Sequence, residues 1–135
     1  MVEYRGVIVM TDDVRDDLKY TKTHEWVKIK GNSILVGITD HAQGELTDIV
    51  FVELPEKDKE LKKGDELCVV ESVKSVSEIY APVSGKVIAI NEKLEDAPET
   101  INQSPYDDGW IAELEVKDKT ELNSLLDAKS YKKIL

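Results

Sequence analysis

The sequence predicts a mainly β domain, a small β-sandwich or flattened barrel with a helix near its C-terminal end. Three observations predict it. Short runs with alternating apolar and polar residues recur between Tyr20 and Val116. Turn formers such as Gly31-Asn32, Pro55, Gly64 and Pro82 separate those runs. From Asp118 the apolar period lengthens, and Leu122, Leu125 and Leu126 fall on one helical face that Tyr131 and Ile134 continue.

The elements follow in order. Residues 1–19 form an acidic lead-in in which Gly6–Met10 can add a strand. His24–Lys30 reads as a strand, with Val27 and Ile29 on one face. Gly31-Asn32 reads as a tight turn and Ser33–Ile38 as the returning strand. Thr39 and Asp40 can cap a short helix over about residues 40–47, because their side-chain oxygens accept bonds from orphan backbone N–H groups. Gly44 weakens that helix. Ile49–Leu54 is a strand stopped by Pro55, and residues 56–60 are a solvated loop. Glu66–Glu71 and Glu78–Ser84 are strands on either side of a tip at Lys74. Proline and glycine break the second of these at residues 81–85. Lys86–Ile90 alternates again, residues 91–109 read as a loop, and Trp110–Val116 is the last strand.

Composition bounds the function. A chain of 135 residues can bury one real core and is too short for two comfortable domains. The net charge of −10 makes nucleic acid a poor partner, since an acidic surface repels phosphates. The single cysteine, Cys68, lies in an apolar run and reads as a buried small hydrophobe. No apolar run is long enough to span a membrane, and the N-terminal stretch is wrongly charged for a signal or transit peptide, so a prokaryotic cytoplasm is expected.

The side chains supply little for catalysis. His24 and His41 have no metal-ligand spacing, and neither a nucleophile elbow nor a phosphate-binding glycine loop is present. His24 is expected to pack beside Trp26 and His41 to sit on a helix surface. Lys74 stands out instead. It lies ten residues after Gly64 and eleven before Gly85, near the centre of a symmetric strand–turn–strand unit. The small neighbours Ser72, Ser75 and Ser77 leave its amine accessible. A lysine in a turn is usually only a solvated charge. Its placement here also suits presentation for modification.

The segment Glu71–Gly85, containing Lys74, closely resembles the lipoylation hairpin of the H protein of the glycine cleavage system. Further blocks carry the likeness at Tyr20–Val27, Gly37–Gln43, Val50–Pro55 and Asn102–Trp110. It runs from about Leu18 to the end, so residues 18–135 would form a lipoyl-carrier domain and residues 1–17 an N-terminal extension. The resemblance implies the barrel-sandwich hybrid fold of lipoyl and biotinyl carriers. It implies lipoate amide-linked to Lys74, and a non-enzymatic carrier that takes an aminomethyl group from the P protein (glycine decarboxylase) to the T protein (aminomethyltransferase). The L protein (dihydrolipoyl dehydrogenase) would reoxidise the arm. A lipoate-protein ligase or lipoyl transferase would attach it, and neither nucleic acid nor membrane would be a partner. A cleft for the arm would involve Thr23, Glu25, Ile38 and Glu78, with Glu25 pairing to the arm's ammonium group. Glu78 is often Asp in the family, Glu45 is a variable position near the cleft, and Asp107 replaces a common glycine.

Other readings fit the tip alone: a lipoyl relay protein, a lipoate-binding protein of a sulfur-oxidation pathway, or an unmodified β-sandwich interaction module. A biotin carrier is disfavoured, since such domains flank their lysine with methionines where this chain has Val73 and Ser75.

Overall fold

The structure is a computed structural model that describes residues 2–4, 7–9 and 12–135. Among these residues the chain forms two sheets that enclose the core, and a separate small hairpin. The hairpin pairs β1 (Val2–Tyr4) with β2 (Val7–Val9). The expected strand over Gly6–Met10 is realised at Val7–Val9, while Gly6 and Met10 lie outside the described residues.

The larger sheet takes β3 (Lys19–Tyr20), β4 (Glu25–Lys30), β5 (Ser33–Ile38), β7 (Glu60–Leu61), β10 (Gly85–Ile90) and β11 (Ala112–Val116) in the order β3-β4-β5-β11-β10-β7. The smaller sheet has β6 (Ile49–Glu53), β8 (Glu66–Ser72) and β9 (Val76–Tyr80) in the order β6-β8-β9. All the pairings are antiparallel. β7 falls partly in the segment expected to be a loop. Its two residues pair with Lys86 and Gly85, a contact too short to leave a periodic signal.

The main core lies between the two sheets. Val27, Ile34, Val36 and Ile38 enter it from the larger sheet, and Val52, Cys68, Val70 and Ile79 from the smaller. A bulge in β8 between Glu66 and Cys68 breaks the alternation, so Leu67 and Cys68 are both buried. Burial pushes the Cys68 thiol well above its ordinary pKa, in keeping with an inert core residue.

A second, aromatic cluster covers the other face of the larger sheet. It contains Leu18, Tyr20, Trp26, Tyr106, Ala128 and Tyr131. Trp26 and Val27 point to opposite faces and both are fully buried, whereas Ile29 is 46% exposed. Val27 and Ile29 do share a face, paired with Val36 and Ile34, but the cover ends part-way: the first half of β4 is buried on both sides and the second half runs out into solvent. Gly37, opposite Trp26 on β5, leaves the space that the indole fills; a Cβ there would lie 2.6 Å from the ring.

Helix α1 (Asp40–Leu46) forms where expected, with Thr39 as its cap accepting from the Ala42 N–H at 3.2 Å. The 91–109 segment is not all loop. It makes two one-turn helices, α2 (Lys93–Asp96) and α3 (Thr100–Gln103), which bury Leu94 and Ile101. The C-terminal helix is shorter than its leucine pattern suggests. Residues Lys119–Ser124 are a 3₁₀ turn, Leu126 makes a β-bridge to Tyr20, and the helix proper, α4, spans Ala128–Lys132. Pairing with the edge strand β3 satisfies the Leu126 backbone better than a helix end would, with Tyr20 and Leu126 exchanging both bonds at 2.8 Å. Asp127 then caps α4 through the Ser130 N–H.

Candidate functional site

Lys74 is the middle residue of the tip Val73-Lys74-Ser75 between β8 and β9, and its side chain is exposed. Ser72 holds the turn. Its hydroxyl, in a residue only 7% exposed, accepts from the N–H groups of Lys74 (3.2 Å) and Ser75 (3.0 Å) and donates to the Ser75 carbonyl (3.1 Å). The Ser72 N–H also reaches the Ser75 carbonyl, and the Val73 N–H bonds the Asp48 carbonyl at 3.0 Å, which leans the tip on the start of β6. The Lys74 ammonium rests 3.4 Å from the carbonyl of Glu45 near the end of α1. The tip backbone is thus fixed while the amine stays accessible.

Further along β9 lies a groove of about 320 Å³ lined by Thr21, Thr23, Glu25, Lys63, Gly64, Tyr80, Ala81 and Pro82. Glu25 is its buried charge, 1% exposed. The hydroxyls of Thr21 and Thr23 both donate to its Oε1 at 2.5 Å, and the Tyr80 N–H approaches Oε2 at 3.4 Å. Burial raises the Glu25 pKa above its usual value, and the two threonine hydroxyls oppose that shift. Its Oε2 has only the long backbone contact from Tyr80.

A tight loop aims this carboxylate. His24 has φ 72°, a left-handed conformation that costs a non-glycine residue about 1–3 kcal/mol. It is held by its own contacts: the His24 N–H to the Thr21 carbonyl at 3.2 Å, and Nδ1 to the Tyr131 hydroxyl at 2.7 Å. The ring packs against His41 at 4.7 Å and edge-on to Tyr131, not beside Trp26 as expected, because Trp26 is taken up by Tyr106. His41 does lie on α1, half-covered, with Nδ1 2.9 Å from Asp12.

The predicted cleft residues are distributed unevenly. Thr23 and Glu25 meet in the groove. Ile38 pairs with Glu25 across β4 and β5, but its side chain is fully buried in the core behind the groove. Glu78 is exposed and does not line the groove; its carboxylate accepts from the Tyr80 hydroxyl at 3.0 Å. Thr21, Lys63, Tyr80 and Pro82 were not singled out from the sequence. Thr21, four residues before Glu25 and of the same type as Thr23, carried the one readable signal.

A model of the glycine cleavage H-protein family matches residues 18–135. The chain belongs to the glycine cleavage H-protein family. It is 57% identical to the glycine cleavage system H protein of Staphylococcus haemolyticus over 122 residues, covering 90% of this chain and 97% of the relative. The corresponding protein of Staphylococcus saprophyticus is 55% identical over the same share. A crystal structure of a glycine cleavage system H protein from Mycobacterium marinum superposes with a TM-score of 0.80 at 36% identity, covering 87% of this chain and 95% of that one. The two enclosing sheets are accordingly the barrel-sandwich hybrid, and H-protein membership gives the chain a carrier role in glycine cleavage.

Residues 1–17 lie outside the H-protein match, yet residues 12–15 are bound to the matched body. The Asp13 N–H bonds Asp40 at 2.8 Å and the Tyr106 hydroxyl donates to the Asp13 carbonyl. Arg15 clamps Asp107 with two bonds of 3.0 and 2.9 Å and lies over the Tyr106 ring. Asp107, which stands where a glycine is common in the family, is thus the partner of Arg15, a residue that precedes the match to the family model. Among the described residues no cluster of ligating side chains could hold a metal ion, and no helix is long and apolar enough to cross a membrane.

Proposed function

We propose that Lys74 carries a lipoyl group in amide linkage and that the chain works as a lipoyl carrier without chemistry of its own, in the cytoplasm. The observation that carries this reading is the pairing of one accessible lysine on a fixed tip with a buried, part-satisfied carboxylate, Glu25 of β4, which meets the far end of β9 at Tyr80. Bound at Lys74, the lipoyl group would supply a disulfide able to take up the aminomethyl group left when the P protein releases the carboxyl group of glycine as carbon dioxide, and, after the T protein removes the carbon and ammonia leaves, a dithiol that the L protein could reoxidise.

The chain's residues fit that group. Lysine stem and lipoyl chain together reach on the order of 15 Å. Six residues of strand from Lys74 to Tyr80 span roughly 20 Å at ~3.3 Å each. The two lengths are of the same order, so the arm can extend along β9 toward the groove. There Oε2 of Glu25 can bind an ammonium group by a charge-assisted bond, and the Tyr80 ring, Ala81 and Pro82 exclude water. Once amidated, Lys74 loses its charge but keeps an N–H able to donate to the Glu45 carbonyl. Tethering raises the effective concentration of the reactive end at each partner, which is what a carrier supplies. A lipoate-protein ligase or lipoyl transferase is the partner required to load Lys74.

Intact mass measurement with peptide mapping tests the reading. Protein from cells with working lipoylation should carry about 188 Da on Lys74, the mass of a lipoyl amide summed from its covalent structure. An unmodified Lys74 overturns the proposal. A modified Lys74 that takes no group from glycine and the P protein would instead favour the relay reading, which needs the tip but not the groove.

A further inference from the structure

The smaller sheet turns one face to the core and the other to solvent. On the outer face, the row nearest the tip runs Phe51–Glu71–Val76 across the three strands. Residues paired across strands share a face, so Phe51 and Val76 flank Glu71, each about 5 Å away. Phe51 is 50% exposed and Val76 64%. A bulge in β6 between Ile49 and Phe51 leaves Val50 unpaired and exposed as well. Val73 at the tip is exposed, and its N–H bonds the Asp48 carbonyl, which brings the tip against the start of β6. Among the described residues, the other exposed large apolar side chains are Ile29 on β4 and the terminal Ile134 and Leu135. Exposed apolar surface is therefore concentrated around Lys74, the mark of a surface that meets another protein.

Charge narrows the partner. The same strands and tip carry Glu53, Glu66, Glu71 and Glu78, all exposed, and a single cation, Lys74. Glu53 and Glu78 lie in the next outward row, on either side of Val69. An apolar row edged with carboxylates repels a second copy of itself and fits an apolar recess edged with lysine or arginine. Reach narrows it further. A bare lysine extends only about 6 Å from its backbone, against ~15 Å for the loaded arm. An enzyme that acylates Nζ must close on the tip itself, whereas enzymes that use the arm can stand off. We infer that Val50, Phe51, Val73 and Val76 form the docking surface for the enzyme that attaches the lipoyl group to Lys74, a protein presenting an apolar recess rimmed by cations. This rests on the carrier reading of Lys74. In that step the deprotonated Nζ bonds to the carbonyl carbon of an activated lipoyl group, and the activating group leaves. Phe51 is the anchor, as the one aromatic side chain of the set, and it comes from a strand that does not lead into the tip. Glu53 and Glu78 steer the encounter.

The test incubates unlipoylated protein with a lipoate-protein ligase, lipoate and ATP, and reads the rate of Lys74 modification by intact mass. Phe51→Ser should raise the KM for this chain about three- to tenfold with kcat unchanged, the pattern of a lost binding contact. Val76→Ser should do the same, and Phe51→Leu, which keeps the surface apolar, should restore most of the KM. Ile29→Ser, at an exposed apolar site on β4, should change neither constant. Removing two charges together, Glu53→Gln with Glu78→Gln, should flatten the rise of KM with salt. An unchanged KM in Phe51→Ser overturns the inference, as does a fall in kcat alone. So does a concentration-dependent dimer that Phe51→Ser abolishes without moving KM, which gives this face to a second copy of the chain. Wild-type protein that the ligase leaves unmodified defeats the carrier reading and this inference together. Wild-type protein modified at Lys74 beside an indifferent Phe51→Ser defeats the inference alone.

Discussion

Glu25 is held where a carboxylate is costly. Its folded-state pKa is raised above the usual 4.5 by burial, so the folded chain binds more protons than the unfolded one between the two values. The stability this residue contributes is fully present below the usual value and is lost as pH rises through the raised one. Wild type should therefore lose stability relative to Glu25→Gln from about pH 4.5 upward, and denaturant midpoints of the two proteins across pH would check it. Equal midpoint differences at every pH would mean that Glu25 titrates normally. Ser72 makes the opposite case, a small side chain with three satisfied bonds at the tip. Ser72→Ala should cost about 1–2 kcal/mol and speed amide hydrogen exchange at Lys74 and Ser75. Its part was hidden in the sequence because serine in a turn has many uses, and only geometry shows the hydroxyl turned inward.

Elements differ in how far local pattern determined them. β4, β5, β8 and β10 follow alternating runs, and α1 starts at the cap its sequence offers. Gly44 in α1 has open space around its Cβ position and a helical backbone. Gly44→Ala should stabilise by about 0.5–1 kcal/mol, by lowering the entropy of the unfolded chain and improving helix propensity, readable as a higher thermal midpoint. The segment at residues 12–17 is the element the sequence left without an account. Its Arg15–Asp107 pair draws the Asp107 pKa down, with the hydrogen bond from Arg15 the first cause. Both side chains are more than a third exposed, so solvent screening keeps the pair small. A double-mutant cycle with Arg15→Ala and Asp107→Ala should return a coupling of about 0.2–1 kcal/mol. No coupling would mean that the backbone bonds through Asp13 and Tyr20 hold the segment by themselves. The C-terminal leucines mark the limit of periodicity: spacing suited a helix, but an edge strand within reach took Leu126 instead.

At the scale of the molecule, two faces of the larger sheet are covered, one by the smaller sheet and one by the aromatic cluster under α4. Tyr20 and Tyr131 stack at 4.5 Å across that cluster, and burial pushes both phenols up to about 12. This second layer decides where His24 sits, since Tyr131 holds both His24 and Thr39, and so it also aims Glu25. The sequence by itself determined the mainly β class, the strand runs, the cap of α1, the exposed lysine between two patterned strands and, through its blocks of likeness, the family. These are local or directly comparable, written in side-chain period and turn chemistry. Only the tertiary structure decided that Thr21, Glu25 and Tyr80 form one groove, that Ile38 lies behind it, that Glu78 reaches it through Tyr80, and that Arg15 meets Asp107. Apart from the local Thr21–Glu25 and Glu78–Tyr80 bonds, those are contacts between residues far apart in the chain. They depend on how two sheets pack and on which edge a passing segment joins, and no period along one strand encodes either.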